Sequence, residues 1–200
     1  MAIYNTDSDA ANTAVRAYLT KVGEFYRGSS FNTSQGKAKA DWTKIKHEVF
    51  SGCCAYCGKK TEKPTIEHLI MFNRSEFGLH HPGNVVPACS PCNSSRRAQG
   101  GKFPSWEDHL RRICSEGGES ECLNERKRRI MAHHCEGEFA YPILTREEQN
   151  AIRVIAESIY DSVQLEIRKG LKLYQKLDQA FVKEGVSHPM QRGKVTDKSG

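Results

Sequence analysis

The sequence has no apolar run long enough to cross a bilayer among its 200 residues. Its first ten residues, MAIYNTDSDA, also lack the basic and apolar segments that mark a secretory signal. We therefore expect a cytoplasmic protein that makes no membrane contact. In a reducing compartment its eight cysteines are not expected to form a disulfide framework, because paired cysteines there more often hold a metal.

Positive charge is concentrated in one stretch of the chain. The formal net charge is +6, and residues 37–102 carry the whole excess, with eleven Lys or Arg against five Asp or Glu. The rest of the chain is balanced. A solvated lysine-rich face would give the same count, but the stretch also holds the cysteine pairs. This coincidence favours a surface that binds phosphate groups.

Apolar residues recur at helical spacing on both sides of a central stretch that is rich in turn residues. The spacing predicts helices at 8–26 and 37–50, helical pieces around 106–114 and 121–134, and a long C-terminal helix. In that last helix, Thr145 and Glu148 have the spacing of a capping box. Gly170 is expected to bend or interrupt it. Its apolar stripe consists of Ile152, Ile155, Ile159, Val163, Ile167, Tyr174, Leu177 and Phe181.

The chain therefore divides into four predicted parts. They are an N-terminal helical extension (1–50), a central module (51–102), a C-terminal helical region (103–186) and a disordered tail (187–200). The long helix needs a partner for its apolar face. Packing within the chain is favoured, and a homodimer through this helix is the alternative.

Four cysteines in two Cys-x-x-Cys pairs dominate the central module. The pairs are Cys54-Ala-Tyr-Cys57 and Cys89-Ser-Pro-Cys92. Two tight turns of this kind can present four thiolates to one tetrahedral Zn²⁺, and a zinc closed by four thiolates is structural rather than catalytic. Cys53 adjoins the first pair and is the alternative ligand, but Cys54 has the spacing that matches the second pair. Any chemistry must come from other residues.

The order of the motifs resembles the HNH nuclease family. The family pattern is a Cys-x-x-Cys pair, an acidic residue followed by His, an Asn with a hydrophobic run, and Cys-x-x-Cys-Asn with a basic residue. In this sequence the second and third elements are Glu67-His68 and Asn84, and Asn93 follows the last cysteine. The resemblance spans residues 54–97, less than a quarter of the chain, and is silent on both flanks.

The resemblance implies an α+β fold: a ββα-metal module on a four-cysteine zinc knuckle, flanked by N-terminal helices and a long C-terminal helix. Glu67 and His68 would end the first strand, and Asn84 would lie in the connection or in the second strand. Asn93 would begin the helix.

The resemblance also implies a role for each residue. Glu67 and Asn93 would hold a catalytic Mg²⁺ or Mn²⁺, His68 would be the general base, and Asn84 would orient the loop or the imidazole. Three basic residues would bind nucleic acid, the first of them at the scissile phosphate: Arg96, Arg97 and Lys102.

The chemistry of these residue types agrees with those roles. An imidazole titrates near neutral pH and can accept a proton from water. A hard cation takes oxygen ligands from a carboxylate and an amide, and it keeps positions for phosphate oxygens. Successive strand residues point to opposite faces. Glu67 and His68 can therefore serve one site only if the strand ends or bends there.

The expected function is endonucleolytic hydrolysis of phosphodiesters in double-stranded DNA, with restriction or anti-phage defence as the setting that the resemblance favours. A non-catalytic zinc-ribbon module that binds nucleic acid is one alternative. An HNH nuclease acting on RNA is another, and a zinc-stabilised protein adaptor is a third.

Other signals stay open at this point. The histidines His80 and His81 could assist as a second base, although a solvated loop is favoured for them. The run 126–129 could grip phosphate or form a wet helix face. A second metal site is disfavoured because the spacing of its candidates matches no standard pattern; they are Cys114, Cys122, Cys135, His109, His133 and His134.

Overall fold

The computed structural model describes residues 6–96 and 103–183. Arg97, Lys102 and the predicted tail 187–200 lie outside the described residues, so the roles given to them stay predictions. Within the described residues there are two β-strands and six α-helices. These are α1 (Asp7–Arg27), α2 (Gly36–Lys44), β1 (Thr65–His68), β2 (Val85–Ala88), α3 (Ser90–Ser95), α4 (Trp106–Glu116), α5 (Leu123–Cys135) and α6 (Arg146–Lys183).

The two strands form an antiparallel ribbon at the centre of the molecule. Thr65 pairs with Ala88 and His68 pairs with Val85, so β1 ends where β2 begins. Every residue of β2 is buried, whereas β1 buries Glu67 and leaves Thr65 exposed. The helix α3 follows β2 directly and packs against β1. This strand–strand–helix unit is the ββα arrangement that the resemblance implies, within an α+β fold.

A core of apolar side chains joins this unit to the flanking helices. Trp42 and Ile45 come from α2 and the π-helical turn that follows it, and Leu110 and Ile130 come from α4 and α5. All four are buried with Val85 and Val86 of the second strand. The flanking helices are therefore part of the same core. They cover apolar surface that a two-stranded ribbon cannot bury alone.

The long helices α1 and α6 form a second layer. Val15 and Leu19 of α1 pack against Ile152 and Ala156 of α6, and Leu79 from the loop between the strands lies with them. These α1 residues are four apart, so they share one helix face. The layer therefore touches the loop between the strands, which carries His80 and Asn84.

The ends of these helices follow their sequence signals. The backbone N–H of Glu148 donates to Thr145 Oγ1 at 3.2 Å, and Glu148 Oε2 accepts from the N–H of Thr145 at 2.7 Å, which confirms the capping box. Gly28 ends α1 with φ +74°, a left-handed conformation that suits glycine. Gly170 does not interrupt α6, which continues through it as one helix of 38 residues.

The apolar stripe of α6 changes its surroundings along the helix. Ile152 and Ile159 pack with residues of α1, which agrees with packing inside the chain. The exposed members of the stripe are Ile155, Ile167, Tyr174, Leu177 and Phe181. Despite its length, α6 is not apolar enough to cross a bilayer, and neither is any other helix among the described residues.

Candidate active site and zinc knuckle

The four predicted cysteines converge on one point. The Sγ atoms of Cys54, Cys57, Cys89 and Cys92 all lie within 4.8 Å of one another, and those of Cys57 and Cys89 are 3.8 Å apart. Zn–S bonds of about 2.3 Å in a tetrahedron separate the sulfurs by about 3.8 Å. The geometry therefore fits a Zn²⁺ ion. No other cluster of metal-ligating side chains occurs in the part of the chain that is described.

Local backbone hydrogen bonds build the two turns of the knuckle. The N–H of Gly58 donates to Cys54 O at 2.9 Å and closes the first turn, and Ala55 N donates to Pro87 O at 2.8 Å, which ties that turn to β2. Cys89 is the residue before α3, so Cys92 lies one turn into the helix. Cys53 faces away and donates to Ser51 O at 3.5 Å. The first turn therefore presents Cys54, as the spacing predicts.

The proximity of the four cysteines also changes the pKa values of their thiols. Burial raises the pKa of Cys57 to about 11, and a hydrogen bond with Cys54 raises the pKa of Cys92. The pKa of Cys54 falls to about 4 because Cys92 donates a hydrogen bond to its thiolate. Four thiolates this close repel each other unless a cation lies among them. Zinc would supply that charge and displace the thiol protons.

Glu67 lies at the end of β1 with its carboxylate inside the module. It is 6% exposed, and its Oε1 accepts from Arg96 at 2.9 Å. Burial raises the pKa of Glu67, and the guanidinium of Arg96 opposes that shift. The paired carboxylate is the form that could serve a cation as an oxygen ligand.

Arg96 is surrounded by acceptors. Besides Glu67, it donates to His68 O at 2.6 Å, to Leu69 O at 2.8 Å and to Pro104 O at 3.2 Å. The residue is only 5% exposed. The structure thus places Arg96 inside the module, not on a surface that a phosphate would reach, because the end of β1 already uses its donors. A contact with the scissile phosphate stays a prediction without support in this arrangement.

Asn93 lies in the middle of α3, not at its first residue as the resemblance implies, because the helix begins at Ser90 directly after Cys89. Its Nδ2 donates to Thr65 Oγ1 at 2.8 Å and to Ile66 O at 3.3 Å. These bonds hold the amide against β1, just before Glu67. They use the nitrogen and leave the amide oxygen for a cation.

His68 completes the end of β1, and a second histidine contacts it. Its Nε2 lies 3.0 Å from Nδ1 of His80, and its ring stacks on Phe72 with centroids 4.9 Å apart. Burial lowers the pKa of His68 to about 3, with smaller contributions from His80 and Arg96. The imidazole is therefore neutral at neutral pH.

Asn84 ties the two ends of the loop between the strands together. Its Oδ1 accepts from the N–H of Ile70 at 2.8 Å, and its Nδ2 donates to Ile70 O and to Leu79 O, both at 2.9 Å. The side chain is fully buried. It lies in a 3₁₀ turn just before β2, so of the two places that the resemblance implies, the connection and the second strand, the structure has the connection. Of its two predicted roles, these contacts favour orientation of the loop.

The ribbon, the helix and the cysteine cluster coincide with a known family pattern. The family described as HNH endonuclease matches residues 54–99. Residues 54–99 thus resemble an HNH endonuclease domain and are called the HNH domain below. The HNH domain covers less than a quarter of the chain, and neither a curated protein nor a solved structure matches the chain.

Around the HNH domain, the structure adds contacts that the motif does not contain. The prediction of a solvated loop for His80 and His81 is wrong, since His81 is buried and His80 bonds to His68. Tyr56, between the first two cysteines, is fully buried with its ring centroid 4.6 Å from that of His109. A bulky aromatic inside a Cys-x-x-Cys turn was the one sequence signal for that packing.

The basic run 126–129 lies on α5 and is largely occupied by ion pairs. Only Arg128 has no acidic partner among the residues described. The pairs are Arg126 with Glu119, Lys127 with Glu107, and Arg129 with Glu125. This run therefore reads as a solvated, salt-bridged helix face.

Proposed function

We propose that this protein is a metal-dependent endonuclease that hydrolyses phosphodiester bonds in double-stranded DNA. The observation that carries the proposal is a segment matching the HNH family in which β1 ends with Glu67 and His68, and in which Asn93 of α3 donates hydrogen bonds to the same strand. A carboxylate, an imidazole and an amide in such a segment are the groups that hydrolysis of a phosphodiester requires.

Glu67 and Asn93 are the residues that would hold the catalytic cation. Both offer oxygen, and Mg²⁺ and Mn²⁺ prefer oxygen ligands, whereas the four thiolates nearby suit zinc. When bound, the cation neutralises charge that develops on the phosphate. Arg96 fixes the carboxylate of Glu67, and the hydrogen bonds of Asn93 to Thr65 and Ile66 fix its amide against the same strand.

His68 would accept the proton of the attacking water. It is neutral at neutral pH because burial lowers its pKa, so it has a lone pair for this purpose. A phosphodiester anion brought next to the ring stabilises the imidazolium and increases its basicity. Asn84 acts through the loop, since it closes the segment that begins two residues after His68.

The charge of the surface supports a nucleic acid as substrate. Lys59, Lys60 and Lys63 follow the first cysteine turn and are exposed. A duplex presents closely spaced phosphates, and such lysines would contact them without reading sequence.

The decisive experiment compares the zinc-loaded protein with a His68→Ala variant on supercoiled plasmid in Mg²⁺ or Mn²⁺. We expect nicking or linearisation that the variant lowers by about 10²- to 10⁴-fold and that EDTA abolishes. The exposed His47→Ala variant is the matched control and should cleave normally. Equal cleavage by wild type and His68→Ala would refute the catalytic assignment.

The same assay separates the alternatives. Digestion of structured RNA but not of plasmid would point to an RNA nuclease. Plasmid binding that persists in EDTA, without cleavage in any metal, would point to a zinc-ribbon binding module. A role in restriction or anti-phage defence predicts that phage form fewer plaques on cells that express the wild type than on cells that express the His68→Ala variant.

We further propose a homodimer through the second half of α6. The seam positions of one heptad frame are occupied by Val163, Ile167, Tyr174, Leu177 and Phe181, and Gly170 fills the remaining position. Light scattering should give a dimer mass that Leu177→Lys reduces to that of a monomer. Lys172→Gln, on the opposite side of the helix, is the control. A monomer in the wild type would end this part of the proposal.

A further inference from the structure

The hydrogen bonds around His80 define which nitrogen of each ring carries a proton. Nε2 of His80 lies 3.1 Å from Phe31 O, and a carbonyl oxygen can only accept. His80 therefore carries its proton on Nε2. Burial lowers the pKa of His80, although Glu24 favours its charged form, so the ring is neutral and its Nδ1 is an acceptor.

The partner of that acceptor is His68. Nε2 of His68 lies 3.0 Å from Nδ1 of His80, so His68 must be the donor in this bond. Its own proton is then on Nε2, and its lone pair is on Nδ1. No hydrogen bond within residues 6–96 and 103–183 reaches that Nδ1.

We propose that His80 is a positioning residue that holds His68 in the tautomer and orientation in which Nδ1 accepts the proton of water. This inference rests on the proposed function. His80 itself keeps its proton and touches no reacting atom. His80 donates to the carbonyl of Phe31 and accepts from Nε2 of His68. This arrangement leaves the lone pair of His68 on Nδ1.

The N-terminal extension sets the position of His80. Phe31, whose carbonyl accepts from His80, is buried in the loop after α1, and its ring centroid lies 5.2 Å from that of His80. Gly23 of α1 lies so close that an added Cβ would be 2.4 Å from His80 O. A residue that HNH motifs do not require thus links the flanking helix to the base.

The carboxamide of glutamine offers a test, because it has one acceptor and one donor, as neutral His80 does. We expect His80→Gln to accept from His68, to donate to Phe31 O, and to retain most activity. His80→Leu fills similar space without either group. It should lower kcat by about 10- to 100-fold with little change in KM. The exposed His47→Leu is the matched control, and zinc content and thermal melting report on folding.

A spectroscopic readout tests the hydrogen bond without any cleavage. In zinc-loaded protein with ¹⁵N-labelled histidine, we expect a protected ring proton on Nε2 of His68 and an N–N coupling across the bond to Nδ1 of His80. Both signals should vanish in His80→Leu while the knuckle keeps its zinc. A proton on Nδ1 of His68 in the wild type would overturn the proposal, as would unchanged kcat in His80→Leu.

The two proposals fail separately. If the hydrogen bond is observed and no substrate is cleaved, the proposed function fails and the role of His80 as a positioning residue for a base falls with it, whereas the assigned tautomers stand. If the wild type cleaves and His80→Leu cleaves equally well, the function stands and the positioning role is wrong.

Discussion

The zinc knuckle and the candidate active site lie side by side, yet they are assembled in different ways. Each half of the knuckle is a turn of four residues, so local spacing alone brings two sulfurs together. In the candidate site, every side chain is oriented by a distant partner: Glu67 by Arg96, 29 residues away, and His80 by Phe31, 49 residues away. A metal cluster can be predicted from local spacing, whereas orientation in an active site depends on tertiary contacts.

The largest effect should come from the knuckle, because zinc binding and folding are one process in such sites. Cys89→Ser should remove most bound zinc and destabilise the fold by about 10 kcal/mol or more. Cys53→Ser is the matched control, since that thiol faces Ser51 O outside the cluster. Zinc content and thermal melting measure both variants. Full zinc in Cys89→Ser, or lost zinc in Cys53→Ser, would show that the cluster is assigned wrongly.

On the active-site side, the buried pair of Arg96 and Glu67 should give the next effect. Arg96→Met leaves the Glu67 carboxylate buried and unpaired, so we expect the free energy of unfolding to fall by about 3–5 kcal/mol. Arg129→Met removes an exposed pair with Glu125 and should change it by less than about 1 kcal/mol. Urea unfolding measures the difference. Similar small losses in both variants would mean that Arg96 does not hold the site.

Asn84 tests whether the loop is closed from inside. Asn84→Ala removes three buried hydrogen bonds to Ile70 and Leu79 and should lower the free energy of unfolding by about 2–3 kcal/mol. Asn73→Ala, which removes a turn contact at the exposed part of the same loop, should lower it by about 1 kcal/mol. Denaturant unfolding compares the two. A larger loss in Asn73→Ala would reverse the assignment.

The smallest effect concerns pH. Burial, with the charge of Arg27, lowers the pKa of His81 to about 4, and its Nδ1 accepts from Gly83 N at 3.2 Å. As the pH falls, His81 of the unfolded chain binds a proton below about pH 6.5, whereas His81 of the folded protein binds one only near pH 4. The stability that neutral His81 contributes is complete above about pH 6.5 and is lost as the pH falls towards 4.

His81→Asn keeps an acceptor for Gly83 N and removes this titration. Between pH 7.5 and pH 5, the wild type should lose about 2 kcal/mol more of its free energy of unfolding than the variant does. The exposed His47→Asn should follow the wild type. Denaturant unfolding at the two pH values is the measurement, and parallel losses in His81→Asn and wild type would contradict the prediction.

Several features of this protein were determined by the sequence alone. The cysteine spacing, the capping box of Thr145 and Glu148, and the apolar periodicity of α1 and α6 predicted the knuckle and the helices, because their physical causes act within a few residues. The motif order likewise predicted the HNH domain.

Only the tertiary structure decided what surrounds each side chain. Arg96 has the sequence spacing of an exposed cation, but it lies inside because the end of β1 offers it one carboxylate and two carbonyls. The sequence around His80 is that of a loop, yet contacts with Gly23 of α1 and with Phe31 hold His80 within hydrogen-bond distance of His68. Both outcomes depend on contacts between residues far apart in the chain, and no local pattern carries that information.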